Sequence, residues 1–303
     1  MKKIGLVIIV LLSATCYTIA QDYLFKVIIS KGDNSYYISS ETNWTMLKAG
    51  SRLHTGDVLK VAAKGYVALL GSSGETMELK NEDTKEYKID ELTAQLKNTE
   101  AGLIDKYASY LVSKMAPEAR ESNRKAYASI TGAVEREVVT IHAYLRKSSV
   151  LYDTMAFIRW KPVEDAAEYN VVVRNLYDEI ILETKTRKPI ISLNFSDEKL
   201  KDRDMVIISI STNGGGSSDY SITKVTRDRP GAFVDEIGEL RAALDSGSAF
   251  DNLVLAEFYE QNNLLLDATT CYEKAMVIEP EVQYFKAIYR EFLMRNNFGN
   301  IIN

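Results

Sequence analysis

The strongest constraint on the fold is the way the apolar pattern changes its period along the chain. Short alternating runs punctuated by glycine fill 22–90 and return in 156–226, as expected for strands joined by tight turns. Apolar residues recur at helical spacing between these blocks and again in 232–298, which favours helices there. The pattern therefore predicts a multidomain α+β protein. The predicted parts are a β-rich domain at 22–90, a helical connector at 91–149, a β-sandwich at 150–229 and a C-terminal helical domain at 230–303.

The first β domain carries tryptophan, leucine and glycine residues at short, regular intervals. They are Trp44, Leu47, Gly50, Leu53, Gly56, Asp57, Leu59, Gly65, Val67, Leu69, Gly74 and Leu79. Glycines in such a set supply the backbone conformations that tight turns need. The set resembles the FecR-like periplasmic domain family, which implies a β-rich fold in the cell envelope. A regulatory sensor role is the weaker implication, because no membrane-spanning run precedes the set in this sequence.

Apolar residues at helical spacing begin just before the predicted connector and continue through it, among them Ile89, Leu92 and Leu103. Pro117 interrupts this pattern, and a charged stretch at 118–137 follows it. We expect spacer helices here, packed on a neighbouring sheet.

The second β block opens with one tryptophan between two alternating strands. The phrase consists of Phe157, Trp160, Pro162, Val163, Ala166, Tyr169 and Val171. It resembles the start of a fibronectin type III or immunoglobulin-like domain. In such a sandwich the tryptophan fills the core, so Trp160 is expected to be buried.

The helical C-terminal domain contains small and aromatic residues at paired offsets. They are Leu255, Ala256, Tyr259, Ala268, Tyr272, Ala275 and Pro280. The set resembles one tetratricopeptide repeat, although Asn252 stands where that pattern has a large aromatic. A single repeat cannot bury its own face. We therefore expect capping helices at 236–244 and 284–293, and packing of this domain against itself or a partner.

The repeat resemblance implies a partner-binding groove on the first repeat helix. Its lining would be Phe250, Leu253, Glu257, Glu260 and Gln261. Spacings of three, four and eight residues independently place most of these on one helix face. The two glutamates would favour a basic peptide, and the alternative is an ordinary solvated helix face.

The first twenty residues have the layout of a secretory signal peptide. Lys2 and Lys3 precede the apolar run 4–12, and small or polar residues lead to Ala20. The run is shorter than the about 20 residues that a membrane helix needs. We expect cleavage after Ala20 and a periplasmic or secreted protein. Lipid attachment at Cys16 is the alternative, and Thr15 fits it poorly because such signals place a smaller residue before the cysteine.

Charge and cysteine content narrow the class of protein further. The formal net charge is −5, which argues against a general binder of nucleic acid or anionic lipid. If Cys16 leaves with the leader, Cys271 has no partner for an internal disulfide. The cores must then be held together by packing alone.

No recognised catalytic or metal-binding motif is present in the sequence. His54 and His142 have no second imidazole or paired cysteines at ligand spacing. The glycine run 214–216 lacks the Lys-Ser/Thr ending of a phosphate loop. Two acidic pairs, Glu164–Asp165 and Asp178–Glu179, are expected to be solvated loop residues. We predict no cofactor, no metal and no enzymatic activity.

The favoured hypothesis is an exported, non-enzymatic envelope adaptor that binds a protein partner through its β domains and its repeat-like tail. The alternative is a cell-wall or glycan-binding protein, because Trp44, Trp160 and the tyrosines could stack on sugars. A periplasmic regulatory sensor is the third hypothesis. Nucleic acid is not an expected partner, and no transmembrane helix is expected after the leader.

Overall fold

The computed structural model describes residues 23–39, 43–96, 102–114, 141–213, 215–216, 219–225 and 231–298. The predicted signal peptide, Cys16 and the predicted second connector helix at 118–137 lie outside these ranges. Within them the protein is mixed α+β, β-rich in its N-terminal part and helical in its C-terminal part. No helix of this described portion is long and apolar enough to cross a membrane.

The first β unit is built from short strands arranged in two antiparallel sheets. The strands are β1 (Phe25–Lys31), β2 (Ser35–Tyr37), β3 (Trp44–Met46), β4 (Arg52–Leu53), β5 (Val58–Val61), β6 (Tyr66–Gly71), β7 (Thr76–Lys80) and β8 (Lys85–Lys88). Sheet I has the order β4-β1-β6-β7, and sheet II has the order β3-β2-β5-β8. Alternate residues of both sheets pack into one cluster that includes Phe25, Leu59 and Leu69. Helix α1 (Ile89–Thr93) adds Ile89 and Leu92 to this cluster.

A glycine is required where β6 begins. A β-carbon on Gly65 would lie 2.6 Å from Oδ1 of Asn34 and 2.7 Å from the carbonyl oxygen of Ala62. The Asn34 amide is buried and ties this corner together, because its Oδ1 accepts a hydrogen bond from the backbone N–H of Ala62 at 2.9 Å. Gly65 therefore permits a close approach that any side chain would block.

Strand β6 is buried on both faces, although it belongs to an antiparallel sheet. Val67 and Leu69 point into the cluster between the two sheets. Tyr66, Ala68 and Leu70 point the other way, into a second cluster that they share with the helices. Sheet I is thus covered by sheet II on one side and by helices on the other, which explains the nearly unbroken apolar run 66–70.

The second β unit contains two sheets of unequal size. Its strands are β9 (Ser148–Leu151), β10 (Met155–Arg159), β11 (Tyr169–Arg174), β12 (Ile180–Thr186), β13 (Ile190–Asn194), β14 (Met205–Thr212), β15 (Gly215–Gly216) and β16 (Tyr220–Lys224). Sheet III has the order β12-β11-β14-β16-β9, with β15 paired to β14, and sheet IV pairs β10 with β13. All pairings are antiparallel except that of β9 with β16, which is parallel.

Trp160 lies at the centre of the second unit, as the sequence predicted. It is fully buried and meets the ring of Tyr169 edge-on, with 5.2 Å between ring centroids. Ile141, Ala143 and Leu145 also pack into this core, although the predicted connector extended to residue 149. Strand β9 was not expected from the sequence.

The C-terminal part consists of four helices, and a further helix joins them from the predicted connector. The four are α3 (Gly231–Ala243), α4 (Ala249–Gln261), α5 (Leu265–Ile278) and α6 (Gln283–Arg295), and the fifth is α2 (Gly102–Lys114). Ser248 caps α4, because its hydroxyl accepts a hydrogen bond from the backbone N–H of Asp251 at 2.9 Å. The positions of α3 and α6 match the predicted capping helices on either side of α4 and α5.

These five helices form one layer that contacts both β units. Their apolar side chains share a cluster with sheet I. Leu266 of α5 packs into the core of the second unit. Helix α2 packs on α3 and α4. The spacer helix, which was predicted to pack on a neighbouring sheet, is therefore part of the helical layer.

Candidate functional site

The apolar residues of the predicted groove are core residues in the structure. Phe250 and Leu253 are buried in the cluster that the helical layer shares with sheet I. The backbone N–H of Phe250 donates a hydrogen bond of 2.6 Å to Oε1 of Glu78 on β7. These two side chains are therefore closed off from a partner by the chain's own β strands and helices.

Glu257 is also buried, and its charge is already paired. Nζ of Lys114, at the end of α2, lies 2.7 Å from Oε1 and 2.9 Å from Oε2 of Glu257. The exposed side chain of Gln261 donates a further hydrogen bond of 2.8 Å to Oε1. A lysine of this chain thus occupies the place that the sequence analysis assigned to a basic peptide.

Glu260 is held by the other neighbouring helix. The guanidinium of Arg295 on α6 reaches its two carboxylate oxygens at 3.2 and 3.0 Å. Burial favours a raised pKa for Glu260, but the hydrogen bonds and charge of Arg295, with Lys114 nearby, hold the pKa below its usual value. Helices α2 and α6 therefore fill the predicted groove, which corrects the expectation of an open one.

Polar side chains of α5 fasten the helical layer to the second β unit. The carboxylate of Asp267 accepts hydrogen bonds from the backbone N–H groups of Tyr152, at 3.0 Å, and Asp153, at 2.7 Å. The two oxygens of Glu273 accept from Nε and Nη2 of Arg159 on β10, at 2.5 and 2.7 Å. Burial raises the pKa of Asp267 to about 7, because the interior disfavours the charged carboxylate.

A second set of polar contacts fastens the helical layer to sheet I. The hydroxyl of Tyr66 donates to Oε1 of Glu78 at 2.5 Å, on the same atom that accepts from α4. Nζ of Lys80 lies 2.6 Å from Oε1 of Glu279, at the end of α5. Burial raises the pKa of Asp251, near the start of α4, to about 6. Glu78 and Glu279 join sheet I to the helical layer, because an oxygen of each accepts from a group of the other part of the chain.

His54 lies in a turn of the first β unit, and the thiol of Cys271 is buried in the helical layer. Oδ2 of Asp57 accepts a hydrogen bond from the backbone N–H of His54 at 2.8 Å, which stabilises a turn. Burial raises the pKa of the Cys271 thiol to about 12, so the thiolate nucleophile is scarce at neutral pH. Among the described residues, no three His, Cys, Asp or Glu side chains are grouped as metal ligands.

The two acidic pairs lie on exposed turns of the second β unit. Glu164, Asp165, Asp178 and Glu179 are all exposed. Asp165 and Asp178 have positive φ angles of 60° and 63°, a conformation that aspartate tolerates in turns. The pairs therefore have the solvated turn positions that the sequence predicted.

Trp44 and Trp160 differ sharply in their access to solvent. Trp160 is fully buried, whereas Trp44 on β3 is 43% exposed. Nζ of Lys60 lies 4.1 Å from the centroid of the Trp44 ring system, and Tyr37 lies beside it at 5.9 Å. Only Trp44 of this pair could therefore stack on a ligand.

The turn between β11 and β12 exposes three large apolar side chains. Tyr177 is 85% exposed, Leu176 is 63% exposed and Ile180 is 60% exposed. We call these three residues the hairpin tip. From the sequence, only the acidic pair Asp178–Glu179 was expected to be exposed in this turn.

Asn175 fixes the conformation of the hairpin tip. Its buried side-chain Oδ1 accepts hydrogen bonds from the backbone N–H of Tyr177 at 2.8 Å and of Glu179 at 3.0 Å. Its Nδ2 donates to Oε2 of Glu179 at 2.6 Å. The exposed side chains are thus presented by an ordered turn that contains no glycine, which lowers the entropy lost when they contact a partner.

Comparisons with known proteins give no match to this chain, either among models of protein families or among curated proteins. The resemblances to FecR-like, fibronectin type III-like and tetratricopeptide-like families therefore remain predictions from the residues quoted above.

Proposed function

We propose that this protein is an exported, non-enzymatic adaptor of the bacterial cell envelope that binds a protein partner through the hairpin tip of its second β unit. Export is supported by the leader pattern of residues 1–20, and an envelope role by the FecR-like set of residues. The observation that carries the proposal is the exposure of Leu176, Tyr177 and Ile180 on an ordered turn. Tyrosine anchors of this kind are enriched among the residues that dominate binding energy at protein interfaces.

The helical layer supports the fold of this adaptor and is not its binding groove. The charges of Glu257 and Glu273 in this layer are already paired within the chain, with Lys114 of α2 and with Arg159 of the second β unit. The layer also joins the two β units, because it shares apolar clusters with both of them. The exposed contact surface of the adaptor accordingly lies on the β units.

Capture of partner proteins from an extract of the organism's own cell envelope tests this function. The double variant Leu176→Ser/Tyr177→Ser should lose the captured partner, because it removes the apolar anchors. Val277→Ser is the matched control, since Val277 is an apolar residue 68% exposed on α5, away from the tip. Equal capture by the wild type, the double variant and the control would contradict the proposed role of the tip.

A second candidate function is binding of a cell-wall glycan at Trp44. The partly exposed indole beside Tyr37 and Lys60 favours it, because sugars stack on aromatic faces. Sedimentation with purified cell wall tests it, with Trp44→Ala compared against Met46→Ala on the same strand. Loss of sedimentation with Trp44→Ala alone would favour the glycan function over the protein adaptor.

A further inference from the structure

Strand β12 is the part of the second β unit that is best placed to contact another protein backbone. It lies at the edge of sheet III and pairs only with β11 in the described chain. At seven residues it is the longest edge strand among those described. An edge strand presents unpaired backbone N–H and C=O groups that a second strand can complete. The hairpin tip ends at Ile180, where β12 begins.

The charges on the outer face of β12 have opposite signs two residues apart. Glu183 lies opposite Val172 and Lys185 lies opposite Asn170 in the pairing with β11, and Val172 and Asn170 share the face away from the core. A run of lysines alone would repel a second copy of the edge, which is how many proteins protect such strands. The Glu–Lys alternation instead lets the edge complement itself.

Symmetry restricts the registers that this self-pairing can adopt. Two copies of a strand related by a two-fold axis perpendicular to the sheet run antiparallel, and residues on the same face lie opposite each other. An axis through Thr184 places Glu183 of each copy opposite Lys185 of the second copy. An axis through Glu183 would place the two glutamates opposite each other, which is unfavourable. Of these two registers, the charges favour the one about Thr184.

We propose that the partner at this surface is a second copy of this chain, paired antiparallel along β12 about Thr184. This inference rests on the proposed adaptor function and adds self-association along the strand that follows the hairpin tip. The pairing makes sheet III continuous through both copies and brings Leu182 of one copy opposite Thr186 of the second copy. In the single chain, Glu183 accepts a hydrogen bond from Asn170 at 2.8 Å and Lys185 lies 3.1 Å from Glu168. Exposed contacts of this kind contribute little to stability, so they exchange readily for contacts across the axis.

Sedimentation velocity over a range of concentrations, with the purified full chain, tests the proposal. The wild type should form a dimer, and Lys185→Glu should raise the dimer dissociation constant by about tenfold or more, because it places two pairs of glutamates face to face. Glu183→Lys should do the same with two pairs of lysines. The charge-swapped double variant Glu183→Lys/Lys185→Glu should restore the dissociation constant to near the wild-type value.

Lys199→Glu is the control, because it makes the same charge change at an exposed turn of the same β unit. A wild type that stays monomeric at every concentration would overturn the dimer. So would a dimer that the β12 variants do not weaken, or a double variant that fails to recover. If the monomeric wild type still captured an envelope protein through the hairpin tip, the adaptor function would stand and only the second copy would be excluded.

Discussion

At the scale of single residues, buried carboxylates determine how the helical layer holds the molecule together. Glu257, Asp267 and Glu273 are almost fully buried, and each meets a partner from another helix or from a β unit. Such pairs add little net stability when complete, but an unpaired buried charge is costly. Substitutions at these positions should therefore act on folding before they act on binding.

Reversal of the Glu257 charge tests this assignment. Glu257→Lys should lower the free energy of unfolding by about 3 to 5 kcal/mol, because it buries a lysine next to Lys114. Glu239→Lys makes the same change at an exposed position of α3, and it should alter stability by only about 0.5 kcal/mol. Urea denaturation measures both. A Glu257→Lys protein as stable as the control would restore the hypothesis of a solvated groove.

Asp267 should make the stability depend on pH in an unusual direction for a carboxylate. Burial raises its pKa from 3.8 to about 7, so the folded chain keeps a proton that the unfolded chain has lost. This contribution to stability is complete below pH 3.8 and is lost as the pH rises through 7, with a slope of up to about 1.4 kcal/mol per pH unit. Asp251, with a pKa of about 6, acts in the same direction.

Urea denaturation between pH 5 and 8 should therefore show a falling free energy of unfolding. The pKa values of Glu236, Glu260 and Asp219 are lowered by folding. These three groups therefore make the stability depend on pH only at more acidic pH, where they take up protons. Asp267→Asn should leave only the smaller decrease that Asp251 produces. A stability that rises with pH over this interval would contradict the assignment.

At the scale of elements, strand β6 connects the first β unit to the helical layer. Leu69 packs between the two sheets, while Leu70 packs against the helices. A strand with both faces buried cannot slip by one residue without a change of environment for every side chain. The strand thus fixes the position of the helices on sheet I.

Truncation on either face of β6 should be costly. Leu69→Ala and Leu70→Ala should each lower the free energy of unfolding by about 2 to 5 kcal/mol, the range for buried leucines. Leu176→Ala, at the exposed hairpin tip, should change it by about 0.5 kcal/mol when measured in dilute solution. Thermal and urea denaturation measure all three. A mild effect of Leu70→Ala alone would show that the helices contribute little to the stability of sheet I.

The sequence predicted the helices and strands well, but it predicted less well which side chains are buried or exposed. The strand blocks, the helical C-terminal part and the burial of Trp160 are confirmed, because each depends on local periodicity or residue type. The burial of Glu257 could not be predicted, since its partner Lys114 lies on a helix far away in the sequence. The hairpin tip was missed because its exposure depends on the turn that Asn175 fixes.

At the scale of the whole molecule, the helical layer replaces the chain of independent modules that the sequence suggested. It shares one apolar cluster with sheet I and extends Leu266 into the core of the second β unit. The C-terminal helices thereby bury their apolar faces against the β units of the same chain. The three parts should consequently unfold together.

Native-state hydrogen exchange, followed by mass spectrometry in low denaturant, tests this claim most directly. Amides of β6, α5 and β14 report on the first unit, the helical layer and the second unit in turn. We expect the slowest amides of all three to exchange with one opening free energy, equal to that of global unfolding and with the same denaturant dependence. Exchange of β6 and α5 at a markedly lower free energy than β14 would show that the modules open independently, and would contradict the shared core.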